Sequence, residues 1–334
     1  MNGTAPFPQV SREFPEVPEE FLQVSEEVAT ALAEGRPVVA LESSLITAAP
    51  TLELPLAIEK SVRDAGAVPA TTGVAGGRLL VGMDPDQIER IRGAEQVQKL
   101  SARDLGAAVA GGGVGATTVA GTIVIAERAG IEVFATAGIG GVHRGATRTL
   151  DISPDLLQFT RTRMAVVSAG AKSILDARLT AEYLETAGVP VLGYGTPWLP
   201  RFYVRGDDIP VTRVDDLPTA ARAARTHWQL NGRGTVLLTV PVDDAEAVDG
   251  DLVEEAIADA LAEAERTGVT GNKVSPFLMR AVSRATGGRT TSAGRSILLG
   301  TARVAGELAV ALAAERAKAT ELAAERAEAT EADR

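Results

Sequence analysis

Six short apolar runs constrain this chain most: residues 38–41 (VVAL), 68–74, 133–136, 165–168, 189–192 and 235–240. Each is a mainly apolar run rather than a strict alternation, as in strands buried on both faces. Helical spacing falls between them, and helices between strands predict a covered, largely parallel sheet. Gly76 and Gly77 before residues 78–81 (RLLV) read as a hairpin, so the sheet should be mixed. The expected fold is a three-layer α/β/α domain with a C-terminal helical extension.

Local signals fill in the connections. Phe21, Leu22, Val24, Val28 and Leu32 give residues 19–33 a helical period that stops at Gly35. Asp84 should cap a short helix, and Ser153 another that runs through Phe159. Residues 97–100 read as a strand, 117–128 as a helix, and the chain after 240 as mainly helical. We divide the chain into an arm at 1–18, one domain at 19–310 and a tail at 311–334. The tail nearly repeats itself (LAAERAKAT, then LAAERAEAT) and should extend the last helix.

Composition excludes several functions. With 44 acidic against 33 basic residues the net charge is −11, so no general nucleic-acid-binding face is expected. There is no cysteine, hence no disulfide, thiolate metal site or cysteine nucleophile. The N-terminus lacks an apolar signal core, and no apolar run approaches the length expected of a membrane span. A cytoplasmic protein without a membrane partner is expected.

Reactive side chains sit where the strand runs end, the usual place for sites in covered α/β sheets. Lys172 follows the run 165–168 among small residues (AGAKS). A lysine held among apolar groups has its ammonium disfavoured, and the neutral amine can form a Schiff base. An anion-binding lysine fits the same segment, and residue context leaves both open. Glu42 closes the run 38–41, as a partly desolvated acid or a buried salt-bridge partner, and the segment alone favours the salt bridge. Lys99 ends another run and reads alone as a surface lysine. Residues 111–118 (GGGVGATT) precede a helix and suit an anion, but they lack the lysine of a phosphate loop. In 138–145 (GIGGVHRG), His143 stands where a dinucleotide fingerprint needs glycine, so no nucleotide cofactor is expected. His143 with Arg144 favours an anion or makes a turn. Asp151, outside the Ser153 cap, could hold a hard cation that keeps most of its waters, or simply form a turn. His227 reads as structural.

Taken together, residues 38–43, 66–70, 115–120, 138–145, 151–153, 169–176, 180–186 and 275–278 resemble, in order, the pseudouridine-5′-phosphate glycosidase family, also called indigoidine synthase A-like. The resemblance implies a homotrimer and reversible C–C bond cleavage between ribose 5-phosphate and uracil. It also implies a divalent cation, usually Mn²⁺, with Mg²⁺ or Ca²⁺ possible. By the same resemblance Lys172 is the nucleophile, Glu42 the proton donor and acceptor, and Asp151 the metal ligand. Lys99, Thr118, Val119, Ser153, Pro154 and Asp155 would contact the substrate, and His143 would lie near its phosphate.

The departures carry information too. After Glu42 the family's His-Gly-Met-Pro is replaced by residues 44–50 (SLITAAP), and a paired Asn near the C-terminus corresponds to Gly300 and Thr301. Sugar-phosphate residues are kept while polar readers of the base are lost, and a site without partners discriminates poorly for uracil. That pattern resembles the C-ribosylating members that join ribose 5-phosphate to aromatic polyketides in antibiotic pathways. The alternatives are a uracil-specific glycosidase and a non-catalytic sugar-phosphate-binding protein.

Overall fold

The computed structural model describes residues 21–45, 49, 51–269 and 273–332; the arm at 1–18 lies outside them. The six apolar runs and an exposed edge strand form seven parallel strands in the order β3 (Val68–Ala75), β2 (Val38–Leu41), β7 (Val133–Ala135), β9 (Met164–Ser168), β13 (Thr235–Thr239), β11 (Val191–Tyr194) and, at the edge, β12 (Thr212–Val214). β3 is long enough to serve two partners. Its first half pairs with β2, while its second half pairs antiparallel with β4 (Arg78–Val81) and with β6 (Gly115–Thr117). β6 in turn carries β5 (Gln98–Leu100) in parallel, so the sheet is mixed at this end as expected.

Alternation along the strands separates two cores. Val38, Ala40, Phe134 and Val166 face α5 (Val119–Arg128), α7 (Pro154–Phe159), α10 (Gly250–Thr267) and α11 (Val274–Ala285). Val39, Leu41, Val133, Ala135 and Val167 face α2 (Glu53–Asp64), α9 (Leu217–Asn231) and α12 (Arg289–Ala332). Burial of this apolar area on both faces drives the three-layer arrangement. Asp84 caps α3 (Pro85–Gly93) in a full capping box with Gln87, and the Ser153 oxygen accepts from Asp155 N at 3.3 Å to start α7.

Three expectations are corrected. Residues 19–33 are not one helix. Leu22–Val24 form β1, parallel to β4, and Ser25 starts α1 (Glu26–Ala33). An edge with free hydrogen-bonding groups outweighs the helical period of three residues. The helix expected from 117 begins at Val119, because Thr117 is in β6 and Thr118 is the cap. An apolar stretch of membrane-span length does exist: Arg289–Glu321 qualifies by length and composition. More than half of its apolar window, 56%, is buried in this fold, where α12 packs on α2, α9, β7 and β9. α12 runs unbroken past 310, with Leu312 still buried.

Candidate active site

The register of the sheet sets Leu41, Ala135 and Val167 side by side. Glu42, Thr136 and Ser168 therefore sit together at the carboxyl ends of β2, β7 and β9. The Glu42 carboxylate is held from both sides. Ser44 Oγ donates to Oε2 at 2.6 Å, and Thr136 Oγ1 donates to Oε1. Among the described residues no cation pairs with Glu42 in a salt bridge, and hydroxyls orient it instead. Behind it Ser43, Thr72, Thr117 and Thr122 share buried hydroxyl bonds that tie β2, β3 and β6 to α5.

From β9 the chain turns sharply at Gly170 to present Lys172. Gly170 has φ +81°, and a Cβ there would stand 2.1 Å from Pro200 O, so only glycine makes the turn. The segment after it is zipped to the 138–145 loop. Lys172 N donates to Ile139 O at 3.2 Å, and β10 (Leu175–Asp176) pairs with β8 (Val142–His143). This pairing brings His143 to the Lys172 segment. Sequence neighbours suggested apolar company for Lys172, and the fold supplies charges instead. Burial and then the Lys172 charge hold the Lys99 pKa below the ordinary lysine range, while Glu42 and Asp155 pull it back up. All four groups therefore share one electrostatic neighbourhood, with Lys99 delivered by β5 and still open to solvent on one side. Lys172 also walls a polar cleft of about 210 Å³ with Arg144, Arg178, Arg201 and Glu254.

Asp155 is 5% exposed and spans the two halves of the site. Its Oδ1 accepts from Ala120 N at 2.9 Å, in the first turn of α5, and its Oδ2 accepts from Gly140 N at 2.8 Å. Thr118 Oγ1 caps the same helix start by accepting from Gly121 N. Thr118, Val119, Ser153 and Asp155 are thus one cluster, with Pro154 exposed at the first position of α7. Gly140 is obligatory, since a Cβ there would lie 2.1 Å from Ser153 Oγ and 2.7 Å from Asp155 Oδ2.

His143 and Asp151 meet at the rim. Nδ1 is 3.7 Å from Oδ2, and His143 N donates to Asp151 O at 3.0 Å. Asp151 is 48% exposed, and no cluster of three or more His, Cys, Asp or Glu occurs among the described residues. One open carboxylate fits a hard cation that keeps its waters, and does not fit a closed protein cage. Arg144 is no free anion binder. Its guanidinium makes a two-pronged pair with Glu254 at 2.7 and 2.9 Å and also donates to Ser173 O, fixing α10 to the Lys172 loop. His227 contacts Asn231 on α9, away from these groups.

Beside Glu42 lies a second, apolar slot, walled by Leu41, Leu45, Ala49, Leu54, Ile58 and Leu298. It is narrow, about 30 Å³. Thr301, in the pair of positions likened above to a paired Asn, is 2% exposed and spends its hydroxyl on Leu298 O. Sequence reasoning missed Thr136 and Ser44. The signal was a hydroxyl residue closing the neighbouring strand run and another two places after the carboxylate.

A fold of this kind, with reactive lysine and carboxylate groups gathered beyond the ends of parallel strands, defines an α/β/α enzyme. Comparison with known proteins gives the family. Residues 27–311 match the family described as indigoidine synthase A like protein. The chain is 48% identical over 289 residues to the pseudouridine-5′-phosphate glycosidase of Dickeya dadantii, covering 85% of this chain and 92% of that one. To the enzyme of that name from Myxococcus xanthus it is 46% identical, covering 86% and 96%. Among solved structures, the prealnumycin C-glycosynthase AlnA in complex with ribulose 5-phosphate superposes with a TM-score of 0.87 at 66% identity, over 90% of this chain and 100% of that one. An indigoidine synthase A-like protein from Thermotoga maritima superposes at 0.80 with 31% identity, over 88% and 97%. The chain belongs to the pseudouridine-5′-phosphate glycosidase (indigoidine synthase A-like) family of enzymes.

Proposed function

We propose that this enzyme is a C-glycosynthase that joins C1′ of ribose 5-phosphate to a carbon of an aromatic aglycone, as in antibiotic assembly, through a ring-opened imine on Lys172. The observation that carries the reading is the pairing of a Lys172–Glu42–Lys99 neighbourhood with an apolar slot beside Glu42. The 66% identity to a protein solved with ribulose 5-phosphate supports it. That ketose cannot close to a furanose, because its 5-oxygen carries the phosphate, so a related site accommodates an open-chain pentose phosphate.

The residues divide the work. Lys172 Nζ attacks C1′ of the open aldehyde, and protonated Glu42 supplies the proton with which water leaves. The iminium is the electron sink that a C-glycoside otherwise lacks. An aromatic carbon adds to C1′, and its proton goes to the Glu42 carboxylate. Glu42 then protonates the Lys172 nitrogen, the sugar O4′ displaces it, and the O4′ proton returns to Glu42. One water is lost overall. Ser44 and Thr136 aim Glu42 for all four transfers. Lys99, Thr118, Val119, Ser153, Pro154 and Asp155 line the sugar-phosphate side, with His143 towards the phosphate. Asp151 would hold a hydrated divalent cation, Mn²⁺ by family likeness, which when bound supplies charge against the sugar oxygens. We place the active form as a homotrimer by the same likeness, which sedimentation would measure.

A second reading, cleavage of pseudouridine 5′-phosphate to uracil, is favoured by the names of the 46–48% identical relatives. Incubation with that nucleotide separates the two. We expect little uracil; rapid uracil release would reverse our preference.

A further inference from the structure

The slot beside Glu42 has three polar residues among its lining: Glu42, Thr136 and Thr71. Thr136 gives its hydroxyl proton to Glu42. Thr71, in β3 opposite Leu41 and 3% exposed, gives its proton to Glu59 of α2, which stands behind the slot wall. The Glu59 pKa is raised, by burial above all, with this hydrogen bond and the charge of Arg63 opposing the rise in part. A hydroxyl has one proton to give, so both threonines face the slot with lone pairs only. Glu42 as a carboxylate is likewise an acceptor. Among the described lining residues the slot is therefore apolar, with side-chain acceptors and no side-chain donor.

We infer that Thr71, oriented by Glu59, is a specificity-determining residue of the aglycone site, and that it accepts a hydrogen bond from an O–H group on the edge of the aromatic ring that enters this narrow slot. This rests on the C-glycosynthase reading of the same slot and names its substrate class: a phenol-type aglycone. A carbonyl-edged ring such as uracil would bring acceptors against acceptors, which costs binding. A phenolic O–H satisfies Thr71. It also belongs to the rings whose ortho and para carbons are electron-rich enough to add to an iminium, so recognition and reactivity coincide. Thr71 is thus a recognition group and needs no proton transfer of its own.

The test is equilibrium binding of 1-naphthol and 1-methoxynaphthalene to the full-length enzyme in saturating ribose 5-phosphate, by calorimetry. These probes differ in the O–H donor and in one methyl group, and Thr71→Val, which keeps the shape of threonine, separates the donor's effect from the methyl's. Wild type should bind the naphthol about tenfold more tightly, the worth of one hydrogen bond. Thr71→Val should abolish that difference with the methoxy compound unaffected, and Thr71→Ser should restore it. Equal binding of the two probes by wild type, or undiminished preference in Thr71→Val, would overturn the inference. Borohydride trapping of ribose 5-phosphate on Lys172, run on the same samples, reports separately on the imine. If trapping fails, the C-glycosynthase reading falls, whereas the probe preference judges Thr71 alone.

Discussion

Asp155 offers the sharpest quantitative test of how the site is held. Its two carboxylate oxygens bond Ala120 N and Gly140 N, and the residue is 5% exposed. In Asp155→Ala both amides lose a charged acceptor in a largely buried place. Each such loss costs roughly 1.5–3 kcal/mol, which sums to about 4 kcal/mol. Asp155→Asn keeps one acceptor oxygen but turns an NH₂ towards the other amide, so about 2 kcal/mol is expected. Urea unfolding followed by fluorescence measures both. With a slope of about 3 kcal/mol/M, the alanine variant should unfold at a urea concentration lower by about 1 M. The shift should be present without any sugar phosphate, since the clamp is part of the fold. An alanine variant within about 0.5 kcal/mol of wild type would refute the clamp and return Asp155 to a pure ligand-contact role.

Thr136→Val removes one of the two hydroxyls that aim Glu42, and should lower kcat about tenfold with stability almost unchanged; an unaltered kcat would show that Ser44 suffices. The Lys99 pKa lies below the ordinary lysine range through burial and then the Lys172 charge. Lys172→Met should therefore raise it, read by titration of the Lys99 side-chain nitrogen in NMR, and no movement would mean the two ammoniums are not neighbours. By the same sign, phosphate-substrate affinity that needs charged Lys99 should fade as pH rises through this lowered pKa, earlier than for a free lysine. Asp151→Ala should weaken Mn²⁺ binding and ribose 5-phosphate affinity together; affinity indifferent to both the variant and a chelator would remove the cation from the site.

The parallel core was legible because most of its strands are mainly apolar runs, and Glu42 and Lys172 stood out because each follows such a run. What was hidden depended on pairing between distant segments. Leu22–Val24 read as helix because strand β1 exists only where β4 offers an edge. Lys172 looked isolated among small residues, since Lys99 reaches it only through β3, β6 and β5. Arg144 beside His143 suggested an anion site, and Glu254, 110 residues away, takes its guanidinium instead. Likewise the hydroxyls that aim Glu42 become visible only when the register sets Thr136 beside it.

The central claim is that Lys172 carries the sugar phosphate as an imine. Incubating the enzyme with ribose 5-phosphate, reducing with borohydride and mapping by mass spectrometry tests it most directly. The account predicts a reduced ribose-phosphate adduct on Lys172, absent in Lys172→Arg. A modification confined to Lys99, or none at all on an enzyme that still turns over, would contradict it.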